Sequence, residues 1–263
     1  MKSILITGAY GGMGRAAAKL LSESGFRIFA LDKKADAAQD NIIPVEADIT
    51  SPKSVQSALA VVQSHTDELC AILHFAGIYM LDSLVEMGDD AFRRIFDVNV
   101  HGAFSINKTF LPLLKSGSRI LIVTSELAPF DPLPFTGIYA VTKSALDKYA
   151  YSLGMELQLL GISVSVLRAG AVKTGMLGVS IDHLDRFCES TRLYSCNAER
   201  FKAIVKRVEA RCIPPERIAE KALRILKKRR PAFAYSINRN PLLLLLNALP
   251  KRLQMWAIGR VLR

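Results

Sequence analysis

The chain of 263 residues is 50% hydrophobic and 22% charged, which excludes a disordered polymer and leaves room for one large core. Its formal net charge is +11, yet residues 1–199 carry 18 Lys and Arg against 21 Asp and Glu while residues 200–263 carry 17 against 3, so the whole excess lies in the last quarter. A nucleic-acid binder is therefore not expected, because the body is near neutral and the basic tail lacks the regular aromatic interleaving of a base-stacking platform.

The first expected element is a strand from Lys2 to Thr7, whose apolar stretch is too short for a signal peptide. It runs into Thr7-Gly8-Ala9-Tyr10-Gly11-Gly12-Met13-Gly14 and then a helix from Met13 to Ser24. Glycines at 8, 12 and 14 let the backbone turn sharply and approach a pyrophosphate, while the helix N-terminus presents free N–H groups and a positive dipole end. A second strand, Arg27 to Leu31, precedes Asp32, which lies 18 residues beyond Gly14, near the place where a carboxylate bonds the adenosine ribose 2′-OH and repels a 2′-phosphate. NAD is thereby preferred, and Lys33 and Lys34 keep NADP open.

Further strands are expected at Ile42–Glu46, Ala71–Phe75, Arg119–Thr124, Ser163–Leu167 and Pro231–Ser236, and helices at Lys53–Ser64, Asp89–Leu114, Tyr139–Leu159 and Pro215–Lys227. Continuous apolar strands alternating with helices imply parallel strands buried on both faces. The expectation is an α/β chain with a Rossmann-like doubly wound parallel sheet of about seven strands, helices on both faces, and C-terminal lid and tail helices. No Gly/Ser- or Pro-rich linker interrupts the pattern, so residues 1–263 read as a single domain. The four cysteines (Cys70, Cys188, Cys196, Cys212) form no C-x-x-C pair, no metal-ligand spacing is present, and a reducing, cytoplasmic setting is expected.

Tyr139 and Lys143 are four residues apart and share a helix face. An ammonium beside a phenol favours the phenolate, so the pair is expected to bring the tyrosine pKa down and exchange a proton with an alcohol or ketone oxygen.

Thr7-Gly8-x-x-x-Gly12-x-Gly14, Asp48 in Ala47-Asp48-Ile49-Thr50, His74-Phe75-Ala76-Gly77, Asn99 in Asp97-Val98-Asn99-Val100, Ser125, Tyr139-x-x-x-Lys143 and Gly170-x-x-x-Thr174 stand in the order and spacing of the short-chain dehydrogenase/reductases. Over about residues 1–175 the chain resembles that family, in its single-domain branch. The resemblance implies a catalytic set of Asn99, Ser125, Tyr139 and Lys143. Tyr139 would be the general acid/base, Lys143 its modulator and a holder of the nicotinamide ribose, Ser125 the group that orients the substrate oxygen, and Asn99 the holder of a water leading to solvent. It implies that Asp48 contacts the adenine, that Ala76 and Gly77 border the adenosine ribose, and that Thr174 holds the carboxamide. It also places Tyr10, Met13, Ile49, Gly170 and Val172 along the cofactor.

The pattern departs in three places. Ser125 lies 14 residues before Tyr139 where the family usually has 13, and Glu126 takes the usual offset; the loop Pro129–Phe135 is expected to absorb the extra residue. The usual N-N-A-G reads His74-Phe75-Ala76-Gly77, with His74 expected as a packed strand residue, and the usual Pro-Gly reads Ala169-Gly170.

Residues 175–213 are expected to form a substrate lid, with Met176, Leu177, Val179, Ile181, Leu184, Phe187, Leu193, Tyr194 and Phe201 either lining a cavity or packing the lid helices. The tail, about residues 238–263, sets Leu242–Leu246 and Trp256 beside Lys251, Arg252, Arg260 and Arg263. It reads as a segment for the headgroup interface of a membrane, or as a helix folded over the substrate cleft or onto another subunit. The resemblance further implies a dimer or tetramer through the helices at Asp89–Leu114 and Tyr139–Leu159. The expected function is interconversion of a hydrophobic secondary alcohol, steroid, retinoid or other lipid-like, and its ketone. The alternatives are an NADPH-dependent carbonyl or acyl-thioester reductase and a non-catalytic nucleotide-sensing module.

Overall fold

The computed structural model describes residues 1–209 and 211–263, without the side chains of 176–182 and 206–209. Among the described residues there are seven strands, β1 (Ser3–Thr7), β2 (Arg27–Asp32), β3 (Ile42–Glu46), β4 (Leu69–His74), β5 (Leu114–Ser125), β6 (Ser163–Ala169) and β7 (Ala234–Ile237). They form one parallel sheet in the order β3-β2-β1-β4-β5-β6-β7, the Rossmann-like doubly wound arrangement. Strand order reverses at β1 and β4, and ligands bind outside the carboxyl ends of strands at such a switch point.

The helices are α1 (Gly12–Glu23), α2 (Pro52–Gln63), α3 (Asp89–Phe96), α4 (Gly102–Phe110), α5 (Gly137–Leu157), α6 (Gly175–Ser190), α7 (Ser195–Glu209), α8 (Pro215–Lys227), α9 (Pro241–Asn247) and α10 (Lys251–Leu262). Ala17, Ala18 and Leu21 of α1 and Ile218, Ala219 and Ala222 of α8 cover one face of the sheet. Val55 and Val62 of α2, Ile106 and Phe110 of α4, and Leu146 and Ala150 of α5 cover the other. Both sheet faces are thus dry, which is why β1 and the middle of β2 consist of fully enclosed apolar side chains. A third cluster joins Leu81 and Phe135 to Leu184 and Phe187 of α6, Phe201 of α7 and Leu262 of α10, and so ties lid and tail to the body.

Three element boundaries differ from expectation. The helix expected over Asp89–Leu114 is broken into α3, a π turn at Asp97–His101, α4 and a 3-10 turn at Leu111–Leu113. The wide turn carries Asn99, whose side-chain amide bonds the backbone of Ile78, and Pro112 lacks the N–H that another helical turn would need. Leu114 opens β5 instead, well before Arg119, with Gly117 at φ +94° and a register shift opposite Leu69 and Ala71. The last strand begins at Ala234 rather than Pro231 and runs to Ile237.

His74 is enclosed on β4, its Nε2 donating to Asn107 Oδ1 over 2.8 Å, and burial holds the imidazole down at about 4 against that hydrogen bond. Among the described residues no helix is long and apolar enough to cross a membrane.

Candidate functional site

The glycine turn forms one end of the site. Gly8 has φ +67°, and a Cβ there would stand 2.5 Å from Ala76 N at the end of β4. A Cβ on Gly14 would stand 2.0 Å from the Gly8 carbonyl oxygen, so only hydrogen lets α1 start against the strand. The N-cap, Gly11, offers no side chain to the first turn, which leaves backbone N–H groups of α1 for an anion. A cavity of about 880 Å³ opens at this point, lined by Gly8, Gly12, Met13, Gly14, Asp32, Ile49, Ala76, Gly77 and Thr174 among others.

This volume, the glycine approach and a carboxylate at the far end of β2 fit a dinucleotide. Asp32 Oδ2 accepts from Tyr10 N over 3.0 Å and Oδ1 from Lys33 N over 2.8 Å, which fixes the carboxylate at the cavity wall. The neighbouring cations have partners of their own: Lys33 pairs with Asp48 at 2.8 Å and Arg15 with Asp36 at 2.8 Å.

Some expected cofactor residues stand back from the cavity wall. Thr7 is enclosed and steadies the strand end, its Oγ1 accepting from Ala76 N at 3.4 Å. Tyr10 lies beneath the Arg15 guanidinium, 5.6 Å from the ring centre. Asp48 is committed to Lys33 and to the Thr50 N–H and hydroxyl at 2.9 and 2.6 Å. Burial acts to raise its pKa, but Lys33 and Thr50 outweigh it and hold the carboxyl at about 2. Its neighbours Ala47 and Ile49 line the cavity instead.

At the carboxyl end of β5 the expected catalytic side chains come together. Tyr139 and Lys143 sit one turn apart near the start of α5, with Lys143 Nζ 5.7 Å from the Tyr139 ring centre. Lys143 is enclosed, donates to Val123 O at 3.4 Å and stands within 3.3 Å of where a Cβ on Gly77 would lie, at the floor of the cofactor cavity. Asn99 Nδ2 donates to Thr142 Oγ1 on the same helix and to Ile78 O, and its Oδ1 accepts from Ile78 N. Of the adjacent Ser125 and Glu126, it is Ser125 whose hydroxyl bonds the Tyr139 phenol. The intervening loop closes through turns, Ala128 N to Ser125 O and Phe130 N to Leu127 O, and a left-handed Phe135, and so accommodates the extra residue.

The expected lowering of the tyrosine pKa is not what the pair produces alone. Desolvation pushes the Tyr139 phenol well above its usual range, Tyr79 adds to this, and the Ser125 hydrogen bond opposes it. Burial also brings Lys143 down to about 8. One turn of separation aligns the two side chains, but in a dry cleft the cost of charging each of them outweighs their attraction.

A smaller cavity of about 230 Å³ adjoins this group. Ser125, Tyr139, Gly170, Val172 and Thr174 line it, together with Phe201 of the lid. Leu184 and Phe187 pack the lid cluster instead, Tyr194 lies against that cluster, and Leu193 is 66% exposed. Met176, Leu177, Val179 and Ile181 fall outside the residues whose side chains are described. Several wall residues carry no signal of their own in the sequence. Tyr79 stacks on Tyr139 with ring centres 4.8 Å apart, Glu126 follows the serine, Ile204 and Val205 come from α7, and Asn240 and Leu243 come from the tail. Only the run of leucines after Pro241 marks the last of these as a surface in need of cover.

The family model for short chain dehydrogenase matches residues 2–184. The chain belongs to the short chain dehydrogenase family. It is 31% identical over 191 residues to estradiol 17-beta-dehydrogenase 2 of Mus musculus, covering 67% of this chain and 50% of that one, so it spans about half the length of this relative. It is 24% identical over 230 residues to a 3-ketodihydrosphingosine reductase of Bacteroides thetaiotaomicron, covering 81% of this chain and 86% of the relative. Among solved structures, a short chain dehydrogenase from Burkholderia cenocepacia in complex with NADP superposes with a TM-score of 0.75 at 22% identity, covering 100% of both chains.

Proposed function

We propose that the protein is an NAD-preferring oxidoreductase that interconverts a hydrophobic secondary alcohol and its ketone. The observation that carries this reading is the meeting of Ser125, Tyr139 and Lys143 between a glycine-lined cavity and an apolar one. A bound nicotinamide dinucleotide would supply the hydride acceptor or donor, and its oxidised ring a positive charge. The chain's own residues do the rest. The α1 N-terminus and the glycine turn hold the pyrophosphate, Asp32 accepts from the adenosine ribose, and Lys143, beside Gly77, reaches the other ribose. Ser125 Oγ and the Tyr139 phenol converge on the substrate oxygen, which Tyr139 deprotonates in oxidation and protonates in reduction. Asn99 holds the helix at Thr142 next to Lys143 and so fixes the ammonium's position.

NAD preference rests on Asp32 and on the two nearby cations, Lys33 and Arg15, already occupied by Asp48 and Asp36. The hydrophobic substrate class rests on Leu133, Val172, Phe201, Ile204 and Leu243 around the smaller cavity, and the names of the steroid and sphingoid relatives agree with it. A second reading, an NADPH-dependent carbonyl or acyl-thioester reductase, draws on Arg94 and Arg186 at the wall of the larger cavity.

The reading extends to partners. Phe92, Phe104, Tyr151 and Met155 are 43–52% exposed on α3, α4 and α5, which favours a dimer or tetramer through these helices. The tail's inner side contacts the body, while Trp256, 63% exposed, stands one helical turn from Arg252 and Arg260, a stripe suited to an anionic membrane surface in the cytoplasm.

The test is nucleotide reduction by steroid, retinoid and long-chain secondary alcohols with NAD and NADP in parallel. Turnover with NAD that Tyr139→Phe abolishes is the expected result. A clear NADP preference would favour the second reading, and binding of nucleotide without turnover of any substrate would mark a nucleotide-sensing module.

A further inference from the structure

Glu126 has no part in the chemistry above, yet it is the one acidic side chain among the described residues lining the smaller cavity. It follows Ser125 at the end of β5 and is only 8% exposed. One carboxyl oxygen, Oε2, accepts from the backbone N–H of Asn240 over 2.6 Å, where the tail begins. The other, Oε1, has no hydrogen bond among the described residues and lies 3.1 Å from where a Cβ on Gly170 would stand, at the cavity wall. Desolvation raises the carboxyl's pKa, while the Asn240 N–H and the more distant Arg239 oppose the rise. A carboxylate offers about four acceptor sites, and enclosing it with one oxygen unfilled is costly where a leucine would pack without penalty.

We propose that Glu126 is a specificity-determining residue that accepts a hydrogen bond from the substrate, so that the preferred substrate is an apolar ketone or alcohol carrying a hydroxyl or ammonium donor within a few bonds of the reacting carbon. The position follows from the chain itself. Ser125 meets the reacting oxygen, and Glu126, the next residue, presents its free oxygen to the same cavity. Hydrophobic walls alone discriminate weakly between substrates, whereas an enclosed acceptor rejects an analogue that leaves it unpaired. The inference rests on the oxidoreductase reading above and adds the donor to it.

The experiment uses the full chain with three long-chain ketones of equal length bearing an α-amino, α-hydroxy or α-methoxy group. Steady-state reduction is measured, and calorimetric binding of the same compounds in the presence of nucleotide. Wild type should favour the amino or hydroxy ketone over the methoxy one by about tenfold or more, through KM rather than kcat. In Glu126→Gln the amide oxygen can keep the Asn240 N–H, which turns the amide NH₂ toward the cavity, so the preference should reverse toward the methoxy ketone. Equal treatment of the three compounds by wild type overturns the proposal, and this result does not depend on whether the variant folds. A variant that loses melting temperature but keeps the wild-type preference also overturns it, and would make Glu126 a tie to the tail. Absence of turnover with all three sinks the oxidoreductase reading, while the calorimetric preference still decides the role of Glu126.

Discussion

In residues 1–174 the groups around the two cavities sit at strand ends and on helices locked to a dry parallel sheet, whereas in residues 175–263 they sit on helices tied back by a few bonds. The contrast shows in the contacts. Thr7, Asn99, Lys143 and Ser125 are all enclosed. The tail is held by Asn247 Oδ1 accepting from Asp131 N at 2.8 Å, a Lys251–Asp131 ion pair, Asn197 Nδ2 donating to Leu262 O at 2.7 Å, and Asn240 N on Glu126. Chemistry that tolerates little movement is carried by the rigid part, and the wall that sets what enters is carried by the separable part. The charge divides the same way, with 17 Lys and Arg against 3 Asp and Glu after residue 199. A surface of that kind can change its partner without disturbing a proton transfer 100 residues earlier in the chain.

The sharpest way to break the comparison is Tyr139→Phe. Removing the proton-transferring oxygen from the rigid part should lower kcat/KM by roughly 10²–10⁴-fold with nucleotide affinity kept, read by steady-state kinetics and fluorescence titration. A small loss would move the acid/base role elsewhere.

Acid should act on the body next. His74 is enclosed with its pKa lowered from 6.5 to about 4, so its contribution to stability is complete above 6.5 and is lost as pH falls toward 4, because the unfolded chain takes up the proton first. The loss is about 3 kcal/mol for that range, visible as a falling melting temperature, and His74→Gln should flatten the curve.

A chain ending at Asn240 tests the other side of the comparison. Loss of α9 removes Leu243 from the cavity wall, and KM for apolar substrates should rise by roughly tenfold, the worth of one leucine's cover, while nucleotide binding is unchanged. Nucleotide binding that collapsed with the tail would show the two parts to be one cooperative unit.

The smallest effect expected is at the outer stripe. Arg260→Gln should reduce flotation with anionic vesicles by about fivefold, the equivalent of ~1 kcal/mol per basic residue, and leave turnover of a water-soluble substrate unaffected. Flotation equal to wild type would leave the stripe as a merely solvated face.

Legibility in the sequence followed the range of the interactions involved. Strands β1 and β2, the glycine turn and the Tyr139/Lys143 pair depend on neighbours a few residues away, so spacing alone reveals them. The break in the helix at Asn99 depends on Ile78, 21 residues earlier, and the commitment of Asp48 depends on Lys33, so neither shows in local pattern. The depressed lysine and the raised tyrosine were illegible for a further reason. Spacing predicts proximity, but the sign of a pKa shift is set by how much water is excluded, and that is a property of the packed lid and Tyr79.

By itself the sequence determined a parallel α/β sheet, the phosphate-binding turn at its first crossover, the side chains available for proton transfer and the placing of positive charge in the last 64 residues. Those are consequences of period, spacing and composition, which chain connectivity preserves. Tertiary structure alone decided that Ser125 rather than Glu126 meets Tyr139, that Glu126 turns one oxygen to the cavity, and that a leucine from the tail closes a site built more than 100 residues before it. Contacts between distant segments are selected by the shape of the folded core and the exclusion of water around it, and no stretch of the chain encodes them alone.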